Sequence, residues 1–447
     1  MAAGEAQLNV RLEGWKAGKV NPTTHTLHIE AGTPGPKPQP VTKALLASLP
    51  HTERRAGFTQ LQFLTEGKQL LAAGYPSGVV QVFDVARRKE LGKIAVPRAE
   101  LDPDYASVGG GRLFARQFAY RYSTEMIEGK SEGRVDYLGT LLSWELPGGK
   151  PCPPLLPEKG AGIMDAKVSP DGRWVLSIEA RGYRIAERAK RERQLYRIER
   201  EKGTKTRVEV FPAHTHFFPD STQALITTSP AEEGPMGLVR LDLAQGKIVA
   251  RRDFEPADGD VLVRVIVPDG GKALVTTTGK KGGQRRLLLI ETRTLKTLAT
   301  LSESISQGVA DPYTGSLDTT GKRFQFSNDK QTIHILNLET LKEEHVFRIA
   351  DRNYGQQLFS PDGKHLLALW QPAGEEHRSP ALPDPVDVPQ PRLSIFLLRD
   401  PKAKPRLHFL PPGYLGAMAF SPDGKMLAIG GAGEVHLLDW TSLISPK

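Results

Sequence analysis

Apolar positions in this chain come in short runs, and the runs follow a recurring turn. Trp174-Val175-Leu176, His365-Leu366-Leu367-Ala368 and Met426-Leu427-Ala428-Ile429 each stand after a copy of one pentapeptide: Ser169-Pro170-Asp171-Gly172-Arg173, Ser360-Pro361-Asp362-Gly363-Lys364 and Ser421-Pro422-Asp423-Gly424-Lys425. Looser copies are Thr65-Glu66-Gly67-Lys68, Gly109-Gly110-Gly111-Arg112, Phe218-Pro219-Asp220-Ser221, Val267-Pro268-Asp269-Gly270 and Asp318-Thr319-Thr320-Gly321-Lys322, eight in all. The chemistry suits a tight turn between two strands. Proline presets φ, aspartate bonds the backbone ahead of it, and glycine accepts a positive φ.

A second column lies downstream, where an apolar strand ends in a large residue followed by a polar one. The pairs are Phe83-Asp84, Trp144-Glu145, Ile198-Glu199, Leu241-Asp242, Ile290-Glu291, Leu336-Asn337, Leu398-Arg399 and Leu438-Asp439. Five residues further on stand Lys89, Lys150, Lys247, Lys296, Lys342 and Lys404, with Thr204-Lys205 in the third unit. Each unit therefore predicts strand, Asp-Gly turn, strand, variable loop, strand, lysine-bearing turn, strand. The period, 42 to 61 residues between turn glycines, fits a four-stranded propeller blade. A blade leaves both faces uncovered unless neighbours pack on it, so a closed ring is expected.

These turns and pairs resemble the tryptophan–aspartate (WD) repeat family of β-propellers, closest to its divergent bacterial members and the related TolB-like repeats, over roughly residues 58–441. Trp-Asp itself never occurs, and the Gly-His pair that precedes the first strand in eukaryotic members is missing, so that family's His–Asp network does not carry over. The fold expected is all-β: a single propeller of four-stranded blades, eight by the turn count, with seven, the commoner number in the family, as the alternative. The last unit holds three strands and ends near Trp440, while residues 41–49 read like a fourth strand. That segment is expected to complete the last blade and lock the ring. The division is then 1–40 as an extension with a Pro- and Gly-rich connector over 31–40, and 41–447 as the propeller. Residues 25–30 look like an extra strand with no assigned place.

Deviations from the repeat mark where a site is expected, because loops on a rigid frame carry function. The loop between second and third strands is long in unit two (residues 122–137), unit three (181–193) and unit seven (371–392), and in a propeller these loops emerge on one face. The resemblance implies partner binding there. The unit-three loop offers Arg181, Arg184, Arg188, Lys190, Arg191 and Arg193, with Glu187 and Glu192 partly neutralising them. The unit-seven loop has six prolines and four acidic residues and should be extended.

Charge sharpens that choice. The formal net charge is +9, but residues 181–207 hold 11 basic against 4 acidic residues, leaving the rest near balance. An anionic partner, whether an acidic protein or a nucleic acid, would thus rest on one segment. No aromatic cluster flanks it in sequence, which disfavours base stacking. One cysteine, Cys152, excludes an intrachain disulfide or a Cys-rich metal site and fits a reducing compartment. No signal sequence opens the chain and no apolar run approaches the ~20 residues of a membrane span. A cytoplasmic protein is expected.

None of the eleven Gly-Lys pairs has the glycine that a phosphate loop requires, and neither Gly-x-Ser-x-Gly nor His-Glu-x-x-His occurs. His214-x-His216 places two imidazoles on one face of a strand as a possible metal pair, though a strand-entry pair is the plainer interpretation. The turn aspartates are spread around a ring, which is turn chemistry rather than a calcium site. No cofactor or metal is expected. The function expected is a non-catalytic platform that binds a protein or peptide on its loop-rich face. The alternatives are a lactonase- or hydrolase-like enzyme with a central-channel site, and an anion or nucleic-acid binder through residues 181–207.

Overall fold

The computed structural model describes residues 39–40, 44–50, 57–75, 78–96, 106–117, 120–127, 130–184, 192–229, 236–279, 286–301, 315–328, 332–348, 353–371, 392–400, 405–409, 415–431 and 433–445. Eight antiparallel sheets of four strands follow one another, over residues 57–95, 106–155, 161–208, 212–253, 261–300, 315–348, 353–409 and 415–439. These are blades 1 to 8. The last has three strands of its own, and its fourth is Leu45–Pro50, which pairs antiparallel with Glu434–Asp439. The expected closing strand is thus present, hydrogen-bonded to the last strand of the repeat. Gln39–Pro40, within the segment expected as connector, adds a short parallel fifth strand beside Arg406–Phe409 of blade 7. Residues 25–30 lie outside the described residues.

The strand period decides how blades hold together. Side chains alternate between the faces of each second strand, so one strand feeds two cores. Leu427 and Ile429 join Leu367, Leu369 and Ile395 of blade 7, while Ala428 between them joins Leu61, Leu70 and Phe83 of blade 1. The same division repeats around the chain and yields eight buried clusters, each shared by two consecutive blades. The cluster between blade 8 and blade 1 includes Leu49 from the closing strand, which makes the ring continuous. Each fully buried Leu, Ile or Phe stabilises such an interface by about 1.5–3 kcal/mol. The outer fourth strands contribute single anchors such as Leu49, Ile94, Val208 and Phe347 to these clusters and are otherwise largely exposed, as in Lys247–Asp253.

The turn motif earns its regularity from hydrogen bonds. Ser169 Oγ donates to Asp171 Oδ1 at 2.5 Å and accepts the Trp174 N–H at 2.9 Å. Asp171 Oδ1 also accepts the Arg173 N–H at 3.0 Å, and Gly172, at φ +72°, donates to the Ser169 carbonyl at 2.8 Å. The copies at Ser360 and Ser421 repeat the set, with Oγ to Oδ1 at 2.6 Å in both. At Asp171 and Asp362 burial pushes the carboxyl up, but the serine hydroxyl and backbone N–H outweigh it and hold it below the ordinary value. In unit four the glycine is replaced by Ser221 at φ +60°, and its Oγ accepts the Asp171 N–H of the neighbouring turn at 3.1 Å. The second column is a cap on the other turn. Asp84, Asp242, Asn337 and Asp439 each accept the backbone N–H three residues ahead, at 2.8, 2.7, 2.9 and 2.6 Å. At Asp439 that bond opens a short helix, Trp440–Ile444.

Candidate functional site

Both turn columns lie at one end of every blade, so the loops between second and third strands and the links between blades emerge at the other. That end departs from the repeat at blades 2 and 3. Between the second and third strands of blade 2 stands a hairpin, Tyr120–Ile127 and Lys130–Tyr137, with all eight residues of each strand in register. After its second strand, Trp174–Arg181, blade 3 sends Tyr183–Arg184 alongside, with Arg184 opposite Arg134 and Tyr183 opposite Val135. The two long loops predicted from sequence are therefore knitted into one three-stranded sheet outside the ring.

Three glycines allow that sheet to sit against blade 3. A Cβ at Gly162, in the first strand of blade 3 (Ala161–Val168), would lie 2.6 Å from the Tyr137 carbonyl oxygen and 2.7 Å from the Leu138 nitrogen. One at Gly139 would collide with the Ile163 backbone, whose N–H donates to the Gly139 carbonyl at 3.0 Å. One at Gly182 would strike Asp136, which takes the Arg134 guanidinium at 2.8 Å. Val135 and Tyr137 are buried at the base, and the Tyr137 and Tyr183 rings lie 6.2 Å apart.

Further out the sheet is open. Tyr122 is 65% and Met126 71% exposed, and they share one face of the strand. Leu138 and Leu156, at the same end of blade 2, are also largely exposed. Next to them blade 3 carries a small polar cleft lined by Glu158, Glu179, Arg181, Glu192, Gln194 and Tyr196. Glu179 is 2% exposed and accepts the Lys205 ammonium at 2.7 Å and the Glu158 N–H at 2.9 Å. Lys205 Nζ stands 4.2 Å above the Tyr196 ring, and the Tyr196 hydroxyl donates to Gln194 Oε1 at 2.6 Å. Burial, then a hydrogen bond to Glu158 and the carboxylates of Glu158 and Glu179, push the Tyr196 phenol up to about 12. Composition alone gave no hint of Glu179. An acidic residue in an otherwise apolar second strand, Trp174–Arg181, is the signal that was available.

Of the sequence candidates, Arg181 is exposed at the end of that strand, Arg184 sits at its register position opposite Arg134, and Arg193 opens the third strand. Burial holds the Arg193 guanidinium below its ordinary value. Arg188, Lys190 and Arg191 lie outside the described residues, as do residues 372–391 of the unit-seven loop and Lys404. The sequence offers no cluster of aromatics flanking this segment; in the structure Tyr183 pairs opposite Val135, whose other strand neighbour is Tyr122.

His214 and His216 occupy alternate positions of the first strand of blade 4, Pro212–Phe217. Desolvation, then the charges of Lys167 and His214, hold His216 at about 4, so its imidazole is neutral near pH 7. Among the described residues no three His, Cys, Asp or Glu side chains gather at metal-binding distance. Cys152 is partly exposed in the fourth strand of blade 2, Lys150–Leu155. No described helix is long and apolar enough to cross a membrane.

No family model and no curated protein matches the chain. Among solved structures it is similar to the C-terminal WD40 domain of Sif2, with 10% identity over 88% of this chain and 97% of that one and a TM-score of 0.49. It is likewise similar to the β-propeller domain of Cps50 (Swd1) from Myceliophteria thermophila, with 15% identity over 88% of this chain and 98% of that one and a TM-score of 0.45.

Proposed function

We propose that this protein is a non-catalytic propeller, kin to WD and TolB-like repeats, that binds a partner protein at the end of the ring bearing the blade 2 hairpin and blade 3 loop. The supporting observation is where apolar surface is left uncovered. The three most exposed large hydrophobic side chains among the described residues, Met126 at 71%, Tyr122 at 65% and Leu156 at 63%, all belong to that end of blade 2. Most others, such as Leu91, Ile248 and Leu298, are scattered on outer fourth strands. Clustered exposed apolar groups rimmed by charge mark interaction surfaces, whereas scattered ones are ordinary. Arg181, Arg184 and Arg193 lie at this end, and together with Arg188, Lys190 and Arg191, which the sequence places between them, they select an acidic partner.

The test is a pull-down from source-cell lysate with the intact chain, a Tyr122→Ser/Met126→Ser variant, and a variant with residues 181–193 replaced by a short Gly-Ser turn. Circular dichroism checks that each is folded. A protein retained by the intact chain and lost from both variants is the expected result. A partner held equally by all three moves the site elsewhere. Tyr122 and Tyr183 beside arginines also favour a second proposal, single-stranded nucleic acid stacking on this sheet. Capture that collapses steeply with salt, and nuclease-sensitive material in the eluate, would be its signature.

A further inference from the structure

At the turn end of the ring, arginines bridge neighbouring blades by donating to backbone carbonyls. Arg197 reaches the Leu243 and Ala244 carbonyls of blade 4, Arg240 the Arg293 carbonyl of blade 5 at 3.1 Å, and Arg323 the Gly363 carbonyl of blade 7 at 3.1 Å. Arg200, at the seam between blades 2 and 3, departs from this pattern. It follows the third strand of blade 3, Arg193–Glu199, and its backbone N–H donates to the Arg173 carbonyl at 3.0 Å. Its guanidinium has no hydrogen-bond or ion-pair partner among the described residues, although Nε and Nη1 are shut off from solvent. Nη2, the nitrogen common to both donor forks of the group, lies beside the blade 2 turn, 3.4 Å from where a Cβ on Gly110 would stand. A Cβ on Gly172 would in turn lie 2.4 Å from the Gly109 carbonyl carbon, so no side chain separates the two turns.

The neighbouring groups leave that charge unanswered. Arg112, which pairs with Gly109 across the turn, meets Glu145 at 3.7 Å, too long for a hydrogen bond. The Asp171 carboxylate is engaged by Ser169 Oγ and the Arg173 N–H, and Glu201 is exposed. Burial, then the like charge of Arg112, hold the Arg200 guanidinium below its ordinary value against the weaker pull of Glu201, Cys152 and Asp171. An enclosed donor set with no partner in the fold asks for a ligand. We infer that Arg200, with Arg112 beside it, holds a phosphate group at this corner between blades 2 and 3. The site lies at the other end of the ring from the proposed partner surface and is independent of it. Phosphate suits it better than a carboxylate does. A dianion balances two guanidinium groups that repel each other, and a donor fork matches two of its oxygens.

The test is equilibrium dialysis of the full chain against radiolabelled inorganic phosphate at constant ionic strength, with O-phosphoserine and acetate as competitors. Saturable binding of one phosphate per chain is expected. Arg200→Met keeps the length of the stem and should weaken binding at least about tenfold, since a hydrogen bond from a charged donor contributes about a decade or more. Arg207→Gln, which alters an exposed arginine of the same blade paired with Glu209, should leave it unchanged. Displacement by O-phosphoserine extends the ligand to phosphate esters, and failure to displace restricts it to free phosphate. Acetate displacing as well as phosphate overturns the assignment. So does binding that never saturates or that is equal in wild type and Arg200→Met. Thermal unfolding separates a ligand-binding arginine from a structural one. In phosphate-free buffer Arg200→Met should unfold at the wild-type temperature or above, because an unpartnered enclosed charge is gone, and added phosphate should raise the wild-type midpoint alone. A variant that unfolds earlier than wild type without phosphate would show Arg200 holding the seam by itself and would overturn its role as a ligand.

Discussion

Gly162→Ala tests whether the hairpin is held to the ring by close backbone approach. The φ of Gly162 is outside the left-handed region, so a methyl group brings no backbone strain and the whole effect is space. The new Cβ would lie 2.6 Å from the Tyr137 oxygen and 2.7 Å from the Leu138 nitrogen. Relaxed contacts of a carbon begin near ~3.5 Å, so the segments must part by roughly 0.8–1 Å. Such a shift breaks the Ile163 N–H to Gly139 carbonyl bond at 3.0 Å. Overpacking costs about 1–3 kcal/mol and the lost bond about 1 kcal/mol, together about 2–4 kcal/mol. The hairpin keeps its own ladder, and blade 3 keeps the clusters on both of its faces. Docking is therefore what is lost. Hydrogen exchange read by mass spectrometry should show amides of Tyr183–Arg184 and of the Lys130–Tyr137 base exchanging roughly 30- to 700-fold faster, with the second and third strands of blade 3 unchanged. Gly148→Ala is the control, because nothing lies within 4 Å of its Cβ. Equal exchange in Gly162→Ala and wild type would refute the docking argument.

Other expectations follow from burial. Leu49→Ala removes a 1% exposed side chain from the seam between blades 8 and 1 and should cost about 2–5 kcal/mol in urea unfolding, against less than about 0.5 kcal/mol for the exposed Leu91→Ala; a small effect at Leu49 would deny the closing strand its role. Lys205→Met strands the buried Glu179 carboxylate and should cost about 2–3 kcal/mol, discounted because Lys205 is itself 24% exposed; adding Glu179→Gln should recover part of it, and strict additivity in this cycle would contradict the pairing. His216 titrates at about 4 when folded against about 6.5 when unfolded, so the unfolded chain holds the extra proton between those values. Stability should then fall by up to about 2–3 kcal/mol as pH drops from about 6.5 to about 4 and level off below, and His216→Gln should flatten that slope by about one proton.

The repeat was legible because its residues act locally. Ser169, Asp171 and Gly172 bond within five residues of one another, and Asp84, Asp242 and Asp439 cap turns three residues ahead, so sequence contains all of their partners. The closing strand was legible by subtraction, since the last unit lacked one strand. The knitted sheet was not. Tyr183 and Val135 pair across 48 positions, and nothing in either segment names the other. Gly139, Gly162 and Gly182 look like any of the chain's 44 glycines until their neighbours are known. Residue 179 breaks an apolar strand in sequence, but its partner Lys205 belongs to the lysine-bearing turn column and reads there as a turn residue.

The basic segment shows how charge must be divided before it is given a function. Its second half is committed within the fold. Arg197 lies over the Trp174 ring and donates to the Leu243 and Ala244 carbonyls at 2.6 and 3.0 Å. Lys202 joins Arg173 on Glu199 at 3.1 Å, Lys205 pairs with Glu179, and Arg207 meets Glu209 at 3.2 Å. Surface pairs among these contribute little each, yet they cancel most of the field that the sequence count promised. Apart from Arg200, what remains of the surplus belongs to residues 181–193, whose described basic members Arg181, Arg184 and Arg193 stand at the end that carries the open sheet. The two halves should separate by experiment. Arg197→Ala removes bonds that bridge blades 3 and 4 and should lower the unfolding midpoint with partner affinity kept in the folded fraction. Arg181→Ala with Arg193→Ala should leave the midpoint nearly unchanged and weaken partner binding, more so at low salt than at high. If both variants behaved alike, the basic segment would act as one patch and the division proposed here would be wrong.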